Sequence, residues 1–387
     1  MTNSKPSFSP RGNMSFAHYA ILVNHKELED IIKQCYQVKQ PLMIWGAPGI
    51  GKSYTVRKIA KEIAREMNRE FVEWNKIRDK YMIIRNPSKY FVLIDIRLSQ
   101  YDPSDLKGLP KSVDGGIEWK PPMWLYAMSL PGSAGIIFLD ELPNAPRSVQ
   151  FAAYQLVLDR AVGEVTLADD VYVIAAGNRL EDAPIEEMPR PLQNRFTHVE
   201  LKVPDVDEWI EWASENNIDI RIMSFLKVRP SLLYKPPKED VMEKAWPTPR
   251  SWEFASRLIN GIPDEKEDLI YKLVASAVGT GVATEFIGFL RLRMKIKNVD
   301  DILEGRVEPP MEPDQIVAMI SIVVEKARKD VNIVEKYAKN VSKKISDEYN
   351  ALFLKLLKST LGVKTLYSLM SNKHVAELVR RIGRYLM

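Results

Sequence analysis

The most specific chemistry in the chain lies in eight consecutive residues. Gly46-Ala47-Pro48-Gly49-Ile50-Gly51-Lys52-Ser53 fits the pattern G-x-x-x-x-G-K-[ST]. Glycines at these spacings let the backbone curl so that successive N–H groups face one anion with no Cβ in the way. A helix starting at Lys52 would point its positive end at the same charge. Lys52 then reaches the terminal phosphates of a nucleotide, Ser53 offers a hydroxyl to its Mg²⁺, and Tyr54 closes the set of nucleotide-binding positions.

Two carboxylates follow an apolar run in Gly135-Ile136-Ile137-Phe138-Leu139-Asp140-Glu141. A buried parallel strand ending there would deliver both acids to the carboxyl edge of a sheet, beside the phosphate loop. At that place Asp140 suits Mg²⁺ and Glu141 suits polarising an attacking water. Farther on, Val171–Ala176 leads into Gly177-Asn178-Arg179, and Pro191-Leu192-Gln193-Asn194-Arg195-Phe196 closes the series. A lone Asn or Arg on a loop is ordinary surface. The order of phosphate loop, acid pair, Asn after a strand and Arg beside Phe is what singles out Asn178 and Arg195.

These groups need rigid elements to hold them. Short apolar runs at Pro41–Trp45, Tyr90–Arg97, Gly135–Leu139, Val171–Ala176 and His198–Leu201 read as strands buried on both faces of a parallel sheet. Helical periodicity fills the gaps: Glu27–Gln37, Lys52–Met67 (Val56, Ile59, Ala60, Ile63, Ala64, Met67 on one face) and Arg147–Asp159. The fold class is therefore α/β, with helices packed on a parallel sheet up to residue 203. Beyond Val203-Pro204 the pattern turns all-helical and proline-punctuated. Val334, Tyr337, Val341, Ile345, Tyr349, Leu352 and Leu356 recur at steps of three or four, which predicts one long amphipathic helix, followed by a short one at Val375–Ile382. Residues 1–24 read as a flexible leader.

Composition narrows the class without naming a partner. The 387 residues carry 55 basic and 51 acidic side chains, for a net charge of +4. That excess is too small to argue for nucleic acid. It concentrates in residues 331–387, with eleven Lys/Arg against four acids; a solvated helix face and a docking surface for an acidic partner both fit. A single cysteine, Cys35, forbids an intrachain disulfide, and the four histidines form no metal-ligand spacing with it. No signal-peptide core and no run of about 20 apolar residues is present, so a cytoplasmic location and no membrane span are expected.

Taken together, these motifs resemble the AAA+ ATPases, specifically the MoxR-like branch. Leu139-Asp140-Glu141-Leu142-Pro143-Asn144-Ala145-Pro146 is similar to that branch's Walker B segment, beside the Walker A loop at 46–53. Ala175-Ala176-Gly177-Asn178-Arg179 resembles its sensor 1, and Pro247-Thr248-Pro249-Arg250-Ser251 its sensor 2. The matches span about residues 41 to 255. The resemblance implies a five-stranded parallel sheet ordered 5-1-4-3-2, a helical lid, ATP and Mg²⁺ as ligands, and a homo-oligomeric ring, usually of six subunits, with ATP between neighbours. Carried over, it implies a nucleotide-binding domain at 25–203, a lid at 204–312 and an unmatched basic extension at 313–387. Asn178 becomes sensor 1, and Arg250 the lid arginine that contacts the γ-phosphate. Arg195 becomes the finger completing a neighbour's site, with Arg190 as a rival for that role.

Two insertions fit the same branch. Asp102–Pro122 lies between the second and third core strands, with Val113-Asp114-Gly115-Gly116 as a hairpin tip, and Arg160–Asp170 turns at Gly163. In the resembling family such hairpins project toward a central pore; the plain reading is surface loops, with Trp119 a core plug for the insert.

Three function classes follow. The first is an ATP-driven, chaperone-like remodeller of a protein partner, with a von Willebrand factor A-type protein as the partner kinship implies. The second is a nucleic-acid motor. The third is a scaffold that binds nucleotide and scarcely turns it over. The insert's Lys107, Lys111, Trp119 and Lys120 are offset by Asp105, Asp114 and Glu118, which counts against nucleic acid. Intact Glu141, Asn178 and Arg195 count against the scaffold. The choice of ATP over GTP rests on the resemblance alone.

Overall fold

A computed structural model describes residues 20–179, 188–237 and 243–383; most of the expected leader lies outside them. The chain forms two compact units, one of Met1–Pro48 with Lys52–Lys202, the other of Gly49–Gly51 with Val203–Met387.

Among the described residues the first unit is built on the strands β1 (Ile21–Val23), β2 (Leu42–Trp45), β3 (Glu70–Glu73), β4 (Tyr90–Arg97), β5 (Leu109–Val113), β6 (Gly116–Lys120), β7 (Ala134–Asp140), β8 (Ala161–Val162), β9 (Val165–Thr166), β10 (Asp170–Gly177) and β11 (Thr197–Leu201). Its helices of four residues or more are α1 (His25–Val38), α2 (Lys52–Glu66), α3 (Tyr81–Arg85), α4 (Pro103–Lys107), α5 (Met123–Ser129), α6 (Arg147–Leu158) and α7 (Arg190–Gln193).

Seven strands pair in parallel in the order β1-β11-β2-β10-β7-β4-β3. The inner five, β11-β2-β10-β7-β4, are the expected 5-1-4-3-2 arrangement of a P-loop AAA+ core. The sheet is wider than the expected five strands. β1 and β3 extend its two edges, and β1 begins within the stretch read from sequence as leader.

Apolar side chains on both faces explain why the inner strands read as continuous hydrophobic runs. On one face Met43, Trp45, Val92, Ile94, Ile137, Leu139, Val171 and Val173 join Leu125 and Met128 of α5 and Val149, Ala153 and Leu156 of α6 in one core. Leu42, Ile44, Phe91, Leu93, Ile136, Phe138, Tyr172 and Ile174 are also buried. Each large apolar side chain removed from water contributes about 1.5–3 kcal/mol. An Asn24–Glu27 capping box starts α1, with each side chain accepting from the other's backbone N–H at 2.8 Å.

Both expected hairpins are present. β5 and β6 pair antiparallel around Asp114-Gly115, and β8 and β9 pair around Gly163. Every residue of β5 and β6 is exposed, including Leu109, Ile117 and Trp119. Trp119 is therefore no core plug.

The second unit is helical: α8 (Val206–Glu215), α9 (Ile220–Val228), α10 (Pro249–Ile259), α11 (Glu267–Val278), α12 (Thr280–Lys295), α13 (Val299–Leu303), α14 (Pro313–Ala327), α15 (Asn332–Asn340), α16 (Asp347–Leu369) and α17 (Lys373–Ile382). One core runs through it from Val206 to Ile382. Phe225 is central, with ring centroids 5.3 to 5.9 Å from Phe286, Trp252 and Phe289. Buried Arg221 is neutralised by Asp219 at 2.7 Å and Asp264 at 2.9 Å, the pairing a buried cation needs.

The single long helix expected across Val334–Leu356 is two helices, α15 and α16. Asn350 accounts for the break. Its amide donates to the Ser342, Ile345 and Ser346 carbonyls and its oxygen accepts from the Tyr337 hydroxyl at 3.1 Å. The heptad-like pattern survives the bend because both helices bury the same core. Several basic residues of this region are paired within the unit: Lys336 with Glu304, Lys343 with Glu377, Lys344 with Glu308, Lys358 with Glu215 and Arg381 with Asp347. Among the described helices none is long and apolar enough to cross a membrane.

Candidate active site

The sheet order assembles the site. β2, β10 and β7 are adjacent and parallel, so the residues that follow their carboxyl ends converge on one edge. Gly46, Gly49 and Gly51 have φ of 150°, 76° and 109°, values that a side chain would strain. The chain turns there and enters α2 at Lys52. Ala47 and Ile50 are buried, Pro48 is half-buried, and Tyr54 is exposed on the first turn of α2.

Lys52 is buried and its ammonium is cradled by oxygens. It donates to the carbonyls of Gly46 (2.6 Å) and Ala47 (2.9 Å) and to Asn178 Oδ1 (3.0 Å). The Ser53 hydroxyl donates to Asp140 Oδ2 at 3.3 Å. Asp140 Oδ1 accepts from the Glu141 N–H at 3.0 Å. Burial pushes the Asp140 carboxyl above its ordinary range, against the pull of Lys52.

Glu141 adopts a left-handed backbone, φ 58° and ψ 32°, uncommon for a non-glycine residue and worth about 1–2 kcal/mol of strain. This turn carries its carboxylate away from Asp140's hydrogen bonds to Ser99, whose hydroxyl donates to Glu141 Oε2. Ser99 lies just past β4, the strand next to β7. Gly177, immediately before Asn178, lets β10 pack closely on the segment that follows Glu141: a Cβ there would sit 2.5 Å from Pro143 and 2.9 Å from Met43.

Four site neighbours, Ser99, Asp95, Glu200 and His198, carry no site signal in the sequence. Ser99 carries no pattern of its own. Asp95 of β4 lies on the same face as Asp140; burial, then the Asp140 charge, pushes its carboxyl up. Arg179 pairs with buried Glu200 of β11 at 3.2 Å. Trp45 donates to His198, also on β11, at 3.0 Å. Each joins residues far apart in sequence, so only strand order could have found them.

Arg190 begins α7 and Arg195 lies two residues past its end, both exposed, and neither side chain forms an ion pair with a described residue. Arg250 belongs to the second unit. It is exposed on the first turn of α10, which a Thr248–Ser251 capping box initiates.

The residues present fit a magnesium nucleotide. Ser53 and Asp140 supply hard oxygens, and the raised Asp140 carboxyl marks a charge that a bound cation would relieve. Mg²⁺ bound there would neutralise charge on the phosphates. Lys52 and the start of α2 would supply positive charge for phosphate oxygens, Asn178 accepts from the Lys52 ammonium, and the Glu141 carboxylate accepts from Ser99. No group of three or more His, Cys, Asp or Glu side chains that could hold a metal by themselves occurs among the described residues.

No family model matches the chain, and no curated protein matches it. Among solved structures it is similar to a Cytophaga hutchinsonii protein provisionally assigned as an ATPase: 14% identity, TM-score 0.31, covering 67% of this chain and 82% of that one. It is also similar to two mutant forms of Thermotoga maritima RuvB. One matches at 12% identity and TM-score 0.28, covering 93% of this chain and 89% of that one. The other matches at 13% identity and TM-score 0.27, covering 92% and 86%.

Proposed function

We propose that this chain is an ATP-hydrolysing AAA+ machine of the MoxR-like branch, acting in the cytoplasm as a homo-oligomeric ring that remodels a protein partner. One observation carries the reading: Lys52 is hydrogen-bonded to Asn178 at 3.0 Å while the next residue, Ser53, is bonded to Asp140 at 3.3 Å. Three separate sequence motifs thus meet at the carboxyl edge of one sheet, in the strand order that the chemistry requires.

In this reading Gly46–Tyr54 with Asp140 hold ATP, and Ser53 and Asp140 hold its Mg²⁺. Glu141 accepts the proton of the attacking water, and Asn178 orients that water. Arg195 offsets phosphoryl charge in a neighbouring subunit's site and Arg250 contacts the γ-phosphate. Residues 25–203 form the nucleotide domain, 204–312 the lid and 313–387 an extension. A von Willebrand factor A-type protein is the partner class that kinship suggests. Support for a protein partner over nucleic acid comes from the β5–β6 hairpin, whose exposed apolar residues are accompanied by a Lys120–Glu118 pair and near-neutral charge.

The test is steady-state ATPase activity over a protein concentration series, with and without DNA. Turnover per subunit that rises steeply with concentration and ignores DNA is expected. Stimulation by DNA would replace the protein partner with nucleic acid, and a flat, near-zero rate would replace the machine with a scaffold.

A further inference from the structure

We infer that His198 is a positioning residue that ties the Arg195 segment to the strand entering the phosphate loop. The proposal rests on the reading of Arg195 as a group that completes a neighbour's site, and adds how its own subunit holds it.

Trp45 ends β2, directly before Gly46, whose carbonyl accepts from Lys52. The Trp45 indole N–H donates to His198 Nδ1 at 3.0 Å, with the two rings nearly parallel at a 15° interplanar angle. An indole N–H can only donate, so Nδ1 is the bare nitrogen and the ring proton sits on Nε2. That nitrogen faces the Gln193 carbonyl at 2.7 Å, and a carbonyl can only accept. One neutral tautomer satisfies both contacts, and together they fix the orientation of the ring.

Gln193 ends α7, two residues before Arg195. Its carbonyl also accepts from the Phe196 N–H at 3.2 Å, and the Phe196 ring meets His198 edge-on with centroids 6.2 Å apart. The Arg195 N–H donates to Leu192 at 3.1 Å, and the Arg195 carbonyl accepts from the Gln40 amide at 3.1 Å. The backbone of Arg195 is thus pinned on both sides, while its side chain is exposed with no ion pair among the described residues.

A second link runs in parallel. Lys52 holds Asn178, and its neighbour Arg179 pairs with Glu200, two residues beyond His198 on β11. The phosphate loop is thus joined to the root of Arg195 by two sets of contacts. These contacts offer a route by which one subunit's nucleotide could bias its neighbour's hydrolysis, which the measurements below test.

The test uses the full chain with two variants. His198→Phe keeps an aromatic ring in place but loses both hydrogen bonds, and Trp45→Phe keeps a ring but loses the donor. Each is expected to bind a fluorescent ATP analogue within about twofold of wild type and to keep KM. Trp45→Phe should lose about tenfold in kcat, the ratio one lost hydrogen bond carries, and His198→Phe, which loses two, should lose at least as much.

Mixing either variant with Glu141→Gln should restore turnover. The variant's own Lys52 and Glu141 are intact and the Glu141→Gln neighbour lends a correctly held Arg195. An affinity loss that parallels the kcat loss would overturn the inference. So would a mixture that stays inactive while Arg195→Ala mixed with Glu141→Gln recovers. If Arg195→Ala itself keeps full turnover, the role of Arg195 has failed instead. Should His198→Phe not fold, Trp45→Phe decides by the same readouts.

Discussion

The Ser99 hydroxyl donates to the Glu141 carboxylate, joining the ends of two neighbouring strands, β4 and β7, across 42 residues of sequence. Glu141 reaches this bond through a left-handed backbone turn, so its placement is held by a contact that opposes other orientations. A carboxylate occupied by a hydroxyl is less free to polarise a water. Ser99→Ala should therefore raise basal ATP turnover about three- to tenfold, the release of part of a charge-assisted hydrogen bond worth about 1.5–3 kcal/mol. An unchanged or lower rate would show that the hydroxyl orients the carboxylate instead of restraining it.

Glu141→Gln separates binding from chemistry. The amide keeps the size and can still meet Ser99, but it cannot take a proton. Nucleotide should bind while hydrolysis slows at least about 100-fold, the scale for removing a positioned general base. Single-turnover measurement of phosphate release would show it, and a loss below tenfold would shift the role to another group.

Lys52→Ala removes the buried ammonium of the site and takes this donor from the carbonyls of Gly46 and Ala47 and from the Asn178 oxygen. Nucleotide affinity should fall at least about 100-fold, as loss of a charged partner with several hydrogen bonds implies. Equilibrium titration with a fluorescent ATP analogue decides it, and affinity within threefold of wild type would remove Lys52 from the phosphate site.

The parts of this site that were legible in sequence are those whose chemistry is local. The loop at 46–53 and the Asp140-Glu141 pair announce themselves by residue type and spacing, and the buried strands by apolar runs. The edge strands β1 and β3 did not show. Ile21–Val23 is too short for a periodic signal, and Glu70-Phe71-Val72-Glu73 does not alternate. Ser99, Asp95, Glu200 and His198 gain their roles from strand order, which no local pattern encodes. The α15–α16 break stayed hidden because Asn350 replaces a helical turn with side-chain hydrogen bonds and leaves the apolar spacing intact.

Two tryptophans should respond in opposite ways to the same substitution. Trp252 is fully buried in the aromatic cluster and its indole donates to the Leu232 carbonyl at 2.8 Å. Trp252→Ala should cost about 3–5 kcal/mol and lower the melting temperature sharply. Trp119, about half exposed on β6, should tolerate Ala within about 0.5 kcal/mol. Comparable losses in thermal melts would mean that the β5–β6 hairpin is part of a folded core.

Tyr36 supplies a pH dependence with a definite sign. Its ring is buried against Phe91 and Tyr172, and its hydroxyl donates to the Asp170 carbonyl at 3.2 Å. Burial pushes the phenol up to about 12 from an ordinary value of 10.0. A phenol is neutral when protonated, so between those two values the unfolded chain loses the proton and the folded chain keeps it. Stability then falls as pH rises from about 10 toward about 12, with no pH dependence from this group below about pH 10. Tyr36→Phe should cost about 0.5–1.5 kcal/mol near neutral pH from the lost hydrogen bond, and the gap to wild type should narrow through the alkaline window. Denaturant midpoints at about pH 8 and about pH 11, on either side of the start of that window, measure it. A gap that stays constant or widens would place the Tyr36 hydroxyl in water.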